Sequence, residues 1–155
     1  MMIAPDDAKQ IAALPVCWDA KGKLRVLMVT SRDTGRWVMP KGWEIDGKKP
    51  WHAAEIEALE EAGAKGFISH QPIGTYAYVK RLDDGTKVRC KVTLYPMFVE
   101  KLKRRWKERD GRKRHWFSPK KAAKLVNERE LSEILIKISK DPEQLTIVQE
   151  LREAS

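Results

Sequence analysis

Residues 86–100, TKVRCKVTLYPMFVE, alternate polar and apolar side chains from Lys87 to Leu94. That alternation constrains the fold more than any other feature of the chain. In an extended strand Val88, Cys90, Val92 and Leu94 share one face, and Lys87, Arg89, Lys91 and Thr93 share the other. The preceding PIGTYAYVK is a second strand signal, and the LDDG between them is a hairpin turn. KQIAALPVCW and KLRVLMVTS read as two more strands around the turn DAKG, and WVMP as a short one. KGWEIDGKKP reads as a loop. Pro50 then suits the first position of a helix that stops at Gly63. Ser118 and Pro119 open a helix over KKAAKLV, LSEILIKIS is helical, and Asp141 to Gln144 open a last helix by capping-box logic. Strands with inserted helices define a mixed α/β domain.

At 155 residues the chain fits one domain, and its 42% apolar share and six Trp exclude disorder. No apolar run is long enough to span a membrane. The N-terminus MMIAPDDAKQ lacks the apolar stretch of a signal peptide. Cys17 and Cys90 sit among apolar residues and have no metal-ligand spacing, so reduced thiols in a cytoplasmic protein are expected. The net charge of +9 is concentrated in residues 101–121, where eleven Lys and Arg face two acids. An anionic partner is implied. Arg89 and Lys91, beside Tyr76, Tyr78 and Lys80 on the neighbouring strand, form a second candidate anion surface.

Against that positive charge, HAAEIEALEEAG crowds Glu57, Glu60 and Glu61 together. On a helix, Glu60 and Glu61 lie about 60° and about 40° either side of Glu57, so the three share a face. Like charges at i,i+4 repel, and a cation between them converts that repulsion into binding.

From Gly42 to Ala64 the sequence resembles the Nudix box, G-x5-E-x7-R-E-U-x-E-E-x-G-U, with U apolar. Gly42, Glu57, Glu60, Glu61 and Gly63 match, with Ala58 and Ala64 at apolar positions. SRDTGRWVMPKGW and GRKRHWFSPKKAAKLV resemble the branch that hydrolyses diphosphoinositol polyphosphates and dinucleoside polyphosphates, and the likeness covers roughly residues 10 to 140. It implies a Nudix-type α/β/α sandwich with a mixed sheet, one domain over 1–155. It also implies metal-dependent pyrophosphohydrolysis of a small, highly phosphorylated substrate, with Mg²⁺ or alternatively Mn²⁺ as cofactor. Glu57 and Glu61 are then the first metal ligands, and Glu60 a third ligand or the general base. Lys41 and Gly42 contribute backbone carbonyls. Arg32, Arg36, Lys41 and one of Arg112 or Arg114 hold the non-reacting phosphates. His115, Trp37 and Trp43 are expected to pack.

Two positions depart from the pattern. Lys48 stands where the family has its first box Glu, and Ile56 where it has Arg. By resemblance that Arg braces a catalytic Glu, so restoring both positions is expected to raise turnover unless another residue fills the role. The departures keep two alternatives open: removal of pyrophosphate from RNA 5′ ends, with residues 101–121 guiding the strand, and a catalytically impaired domain that binds a polyanion or a protein.

Overall fold

The computed structural model describes residues 2–155. Its elements are β1 (Met2–Trp18), β2 (Leu24–Thr30), β3 (Trp37–Val38), β4 (Lys41–Trp43), α1 (Pro50–Ala62), β5 (Ala64–Ile68), β6 (Gly74–Arg81), β7 (Lys87–Leu102), β8 (Arg114–Phe117), α2 (Pro119–Leu125), α3 (Arg129–Lys140) and α4 (Thr146–Ala154). The eight strands form one mixed sheet. β1 and β7 are its parallel centre, running from Ala8 opposite Cys90 to Val16 opposite Phe98. β2 and β4 pair antiparallel with β1, and β5 and β6 pair antiparallel with β7.

Both faces of the central strands are covered, so alternate residues go to different cores. Ala12, Leu14, Val16, Val92 and Leu94 pack with Leu131, Leu135, Ile138 and Val148, under α2, α3 and α4. Ile11, Ala13, Tyr95, Met97 and Val99 pack with Ala53, Ala54, Ala58 and Ala62 of α1. The four alanines are fully buried, and their small side chains let α1 lie close on the sheet. The result is the expected α/β/α sandwich. Among the described residues no helix is long and apolar enough to cross a membrane.

The helix signals hold in detail. Gly63 ends α1 in the left-handed region at φ 66°, and the Ser118 side chain accepts from the Lys121 amide. The last helix starts later than its capping signal suggests. Residues 142–144 form a 3₁₀ turn, and α4 begins at Thr146 with no side-chain cap.

One surface reading is corrected. Tyr78 pairs with Cys90 and Lys80 with Val88, so the Tyr76, Tyr78 and Lys80 row shares a face with Cys90. Arg89 and Lys91 point to the opposite face, and Arg89 pairs with Asp7 at 3.3 Å. The two rows cannot line one site, because paired residues on antiparallel strands project to the same side.

Candidate active site

α1 presents Glu57 and Glu61 to a polar pocket of about 290 Å³, whose walls include Gln10, Arg32, Lys41, Gly42, Glu108 and Arg112. β4 forms one wall, since Lys41 and Gly42 pair with β1 immediately beside the helix. The backbone amide of Lys41 donates to Glu61 Oε1 at 3.2 Å. Gly42 makes room for Glu57: a Cβ there would lie 2.6 Å from Glu57 Cδ and 2.8 Å from both carboxylate oxygens.

Burial dominates the electrostatics. Glu61 is 5% exposed. Burial pushes its carboxyl up to about 8, opposed by the Arg112 guanidinium and reinforced by the charges of Glu57 and Glu108. Burial also raises Glu57, with Glu60 and Glu108 adding to the rise. The Lys41 ammonium moves down by burial, with Glu61 pulling the other way, and it lies 4.8 Å over the Tyr78 ring. A buried acid and a half-buried one, Glu61 and Glu57, both with raised proton affinity and beside a third acid, are poised to exchange protons for a hard cation.

Glu60 does not join them. It pairs with Lys107 at 2.9 Å, and its side chain lies outside the pocket. The reason is angular: Glu60 and Glu61 diverge by 100° around the helix, and the pocket opens on the Glu61 side. Among the described residues no three acid, His or Cys side chains are set to enclose a metal. Two carboxylates nevertheless suit Mg²⁺, which usually takes one or two protein carboxylates and completes its shell with water and phosphate. The oxygen-only donor set of Glu57 and Glu61 fits such an ion.

The basic stretch supplies two pocket residues, Arg112, a phosphate candidate by resemblance, and Glu108, which sequence reasoning missed. Glu108 is held at the pocket by its backbone amide, which donates to the Glu60 carbonyl at 3.0 Å. Arg112, with its side chain 10% exposed, has a protein partner at each of its three guanidinium nitrogens. Its Nε donates to Glu108 at 2.8 Å, its Nη1 to the Thr30 carbonyl at 3.0 Å, and its Nη2 lies 3.4 Å from Glu61. The WKERDGR spacing is the only sequence signal for the pair, an i,i+4 acid and base. Ile56 faces elsewhere, into a largely apolar hollow with His52, Leu59 and Ala64. Lys48 is exposed in the loop before α1.

The remaining cations divide. Arg32 lines the pocket, 3.7 Å from Glu108. An adjoining groove shares Ser31, Asp33, Val38, Lys41 and Lys80 with it and adds Arg36 and Arg81. Arg36 lies 3.9 Å from Glu128. Arg89, Lys91 and Arg114 line neither cavity. Arg114 instead donates to the Ala62 carbonyl at 2.8 Å and stacks 3.8 Å over Trp106, closing the end of α1. His115 and Trp37 pack with Phe117. Trp43, expected to pack, is 45% exposed at the pocket mouth, because it ends β4 at the rim of the sheet.

Comparison with known proteins places this geometry. The NUDIX domain family model matches residues 8–137. Nudix hydrolase 12, mitochondrial, of Arabidopsis thaliana is 34% identical over 110 residues, 69% of this chain and 54% of that protein. The chain spans about half the length of this relative and of Nudix hydrolase 13 from the same plant. Diphosphoinositol polyphosphate phosphohydrolase 3-alpha of Homo sapiens is 33% identical over 125 residues, 79% of this chain and 71% of that protein. A solved C. elegans Ap4A hydrolase binary complex shares the fold with a TM-score of 0.63 at 21% identity, over 86% of this chain and 96% of that one. The sheet, the loop and helix that carry Glu57 and Glu61, and these matches together make the chain a member of the Nudix hydrolase family.

Proposed function

We propose that the chain is a divalent-metal-dependent pyrophosphohydrolase of a compact, highly phosphorylated small molecule, either a diphosphoinositol polyphosphate or a dinucleoside polyphosphate. The observation that carries this reading is convergence. Two carboxylates, Glu61 buried and Glu57 half-buried, face a pocket whose other walls, and the groove continuing from it, hold Arg32, Lys41, Lys80, Arg36 and Arg81. A phosphoanhydride resists hydrolysis because its charged oxygens repel the attacking water. Arg and Lys at those walls neutralise the non-reacting phosphates and fix their position. Glu57 and Glu61 would hold the ion, Mg²⁺ or Mn²⁺, which supplies polarisation of the phosphoryl group and a more acidic water. Arg112 takes the bracing role that Ile56 cannot, because it holds Glu61 and Glu108 in one fork. The two thiols, Cys17 half-buried and Cys90 buried, are free and suit the cytoplasm, although several relatives are named as mitochondrial.

The direct test is turnover with Mg²⁺ against inositol pyrophosphates, dinucleoside polyphosphates and 5′-triphosphorylated RNA. Hydrolysis of the small molecules with no release from RNA is the expected result, and no turnover of any of them defeats the reading. Within that assay, Arg32→Gln with Lys80→Gln is expected to lower kcat/KM for the small substrate. Each lost charge-assisted phosphate bond is worth about 1.5–3 kcal/mol, roughly 10- to 150-fold. Arg89→Gln, on the far face, is expected to leave it unchanged.

Gly42 gives a separate check on the carboxylate geometry. In Gly42→Ala the clash falls on the movable end of the Glu57 side chain. The fold should tolerate that displacement, and the site should not. A shift of about 1 Å can cost on the order of 10²-fold in rate. A loss of at least tenfold in turnover, with weaker Mn²⁺ binding by electron paramagnetic resonance and an unchanged melting temperature, is expected.

A further inference from the structure

On the other side of segment 106–109 from the catalytic pocket lies a second concavity, of about 620 Å³, lined by Arg104, Arg105, Trp106, Arg109 and Arg114. Its floor is fixed to the C-terminal end of α1. The Trp106 indole N–H donates to the Glu61 carbonyl at 3.0 Å, and Arg114 covers the indole ring. Gly63 permits both approaches, since a Cβ there would meet Arg114 at 2.8 Å and Trp106 at 3.1 Å. The neighbouring cations are neutralised within the protein: Lys107 by Glu60 and Arg112 by Glu108. Arg104, Arg105, Arg109 and Arg114 are not, for among the described residues no carboxylate lies within 4.0 Å of any of them. Burial, and then the charge of Arg109, press the proton affinity of Arg114 down.

We infer that this concavity is a second anion site, which binds the sugar-phosphate backbone of a single-stranded nucleic acid without reading its sequence. Guanidinium forks match phosphate oxygens bidentately. A compact polyphosphate seated in the catalytic pocket has cations of its own there. An extended polyanion is the ligand that can follow the surface past residues 106–109, and Arg104, Arg105 and Arg109 lie along that path. The inference rests on charge and shape, and it stands whether or not the catalytic reading does.

The test uses a fluorescently labelled single strand of about 12 nucleotides with a 5′ hydroxyl, so that no phosphoanhydride is present. Binding is followed by anisotropy in EDTA across a salt series. The expected result is binding whose log K falls with log salt, with a slope of about −0.7 per phosphate contacted, so about −2 for three arginines. Arg104→Gln, Arg105→Gln and Arg109→Gln combined should weaken binding at least tenfold at low salt and remove that part of the slope. They should leave turnover of the small substrate at the wild-type rate. Lys120→Gln, Lys121→Gln and Lys124→Gln combined remove the same charge elsewhere and should change binding less than about twofold, since an exposed charge matters only within a Debye length. Absence of binding, an equal loss in the lysine variant, or an unaltered arginine variant overturns the inference. Displacement of the strand by inorganic tripolyphosphate at equal phosphate concentration also overturns it, in favour of a free polyphosphate as ligand.

Discussion

Glu61→Gln is expected to leave the fold intact and to lower metal-dependent hydrolysis by about three orders of magnitude. The substitution keeps the volume and the bond from the Lys41 amide, and removes the charge. A metal's electrostatic contribution to phosphoryl chemistry is several kcal/mol, and each 1.36 kcal/mol is tenfold in rate. Wild-type turnover in the variant would refute the assignment. The same substitution should stabilise the metal-free protein at alkaline pH. The folded-state pKa of Glu61, about 8, lies above the ordinary carboxylate value of about 4.5. The stability tied to its neutral form is therefore fully present below about pH 4.5 and lost as pH rises through about 8. Above that range wild-type Glu61 is a buried charge, whereas Gln is not, so in EDTA at pH 9 the variant should melt higher. Metal binding displaces the Glu61 proton, so wild-type affinity for Mn²⁺ should climb with pH up to about 8 and then level off. In Glu61→Gln that dependence should shrink to the part carried by Glu57.

Arg112→Ala carries the second large effect. It strands Glu108 and Glu61 and leaves the Thr30 carbonyl without its donor. Removing one partner of a buried pair costs about 3–5 kcal/mol. For a chain of this length that corresponds to roughly 10 °C in melting temperature. The activity readout separates a brace from a phosphate ligand. Well below both melting temperatures, a brace lowers kcat by about 10- to 100-fold and leaves KM alone. A phosphate ligand would raise KM. Arg112→Lys keeps the charge without the fork, so it should recover stability better than rate. Adding Ile56→Arg and Lys48→Glu to the wild-type chain should then bring no tenfold gain. Ile56 opens onto the apolar hollow, and the place beside Glu61 is already filled.

The loop and helix from Glu44 to Gly63 were legible because their signals are local, whereas Lys41–Trp43, read as part of that loop, become β4 by pairing with β1. Glycine spacing, Pro50 and a run of acids need no distant partner to be read. Glu57 and Glu61 followed from helix geometry, yet the same geometry placed Glu60 with them. The choice of flank is made by Lys107, which comes from a segment beyond β7. β8 went unread inside the basic stretch, since its strand state comes from pairing with β2 and not from the composition of RHWF. β5, with Gly66 at its centre, likewise becomes a strand only by pairing with β7. Arg89 and Lys91 were assigned to the right face of their strand, but the neighbouring strand's register was misjudged. Glu108 could only be counted as a charge from sequence and Arg112 only named as a phosphate candidate, since the contact of Arg112 with Glu61 is a tertiary fact.

The parallel pairing of β1 with β7 sets when the catalytic centre can exist during synthesis. Residues 8 to 16 of the growing chain have no central partner until residues 90 to 98 have been made. Such long-range pairing is slow to form, because loop closure must precede the contacts that reward it. The carboxylates of α1 are made early, but the arginine that braces Glu61 comes only with Arg112. A nascent chain stalled before that point carries Glu57 and Glu61 without their counter-charge. The centre therefore waits for Arg112, long after its own helix is made, and truncated chains should fail to bind metal before they fail to form α1.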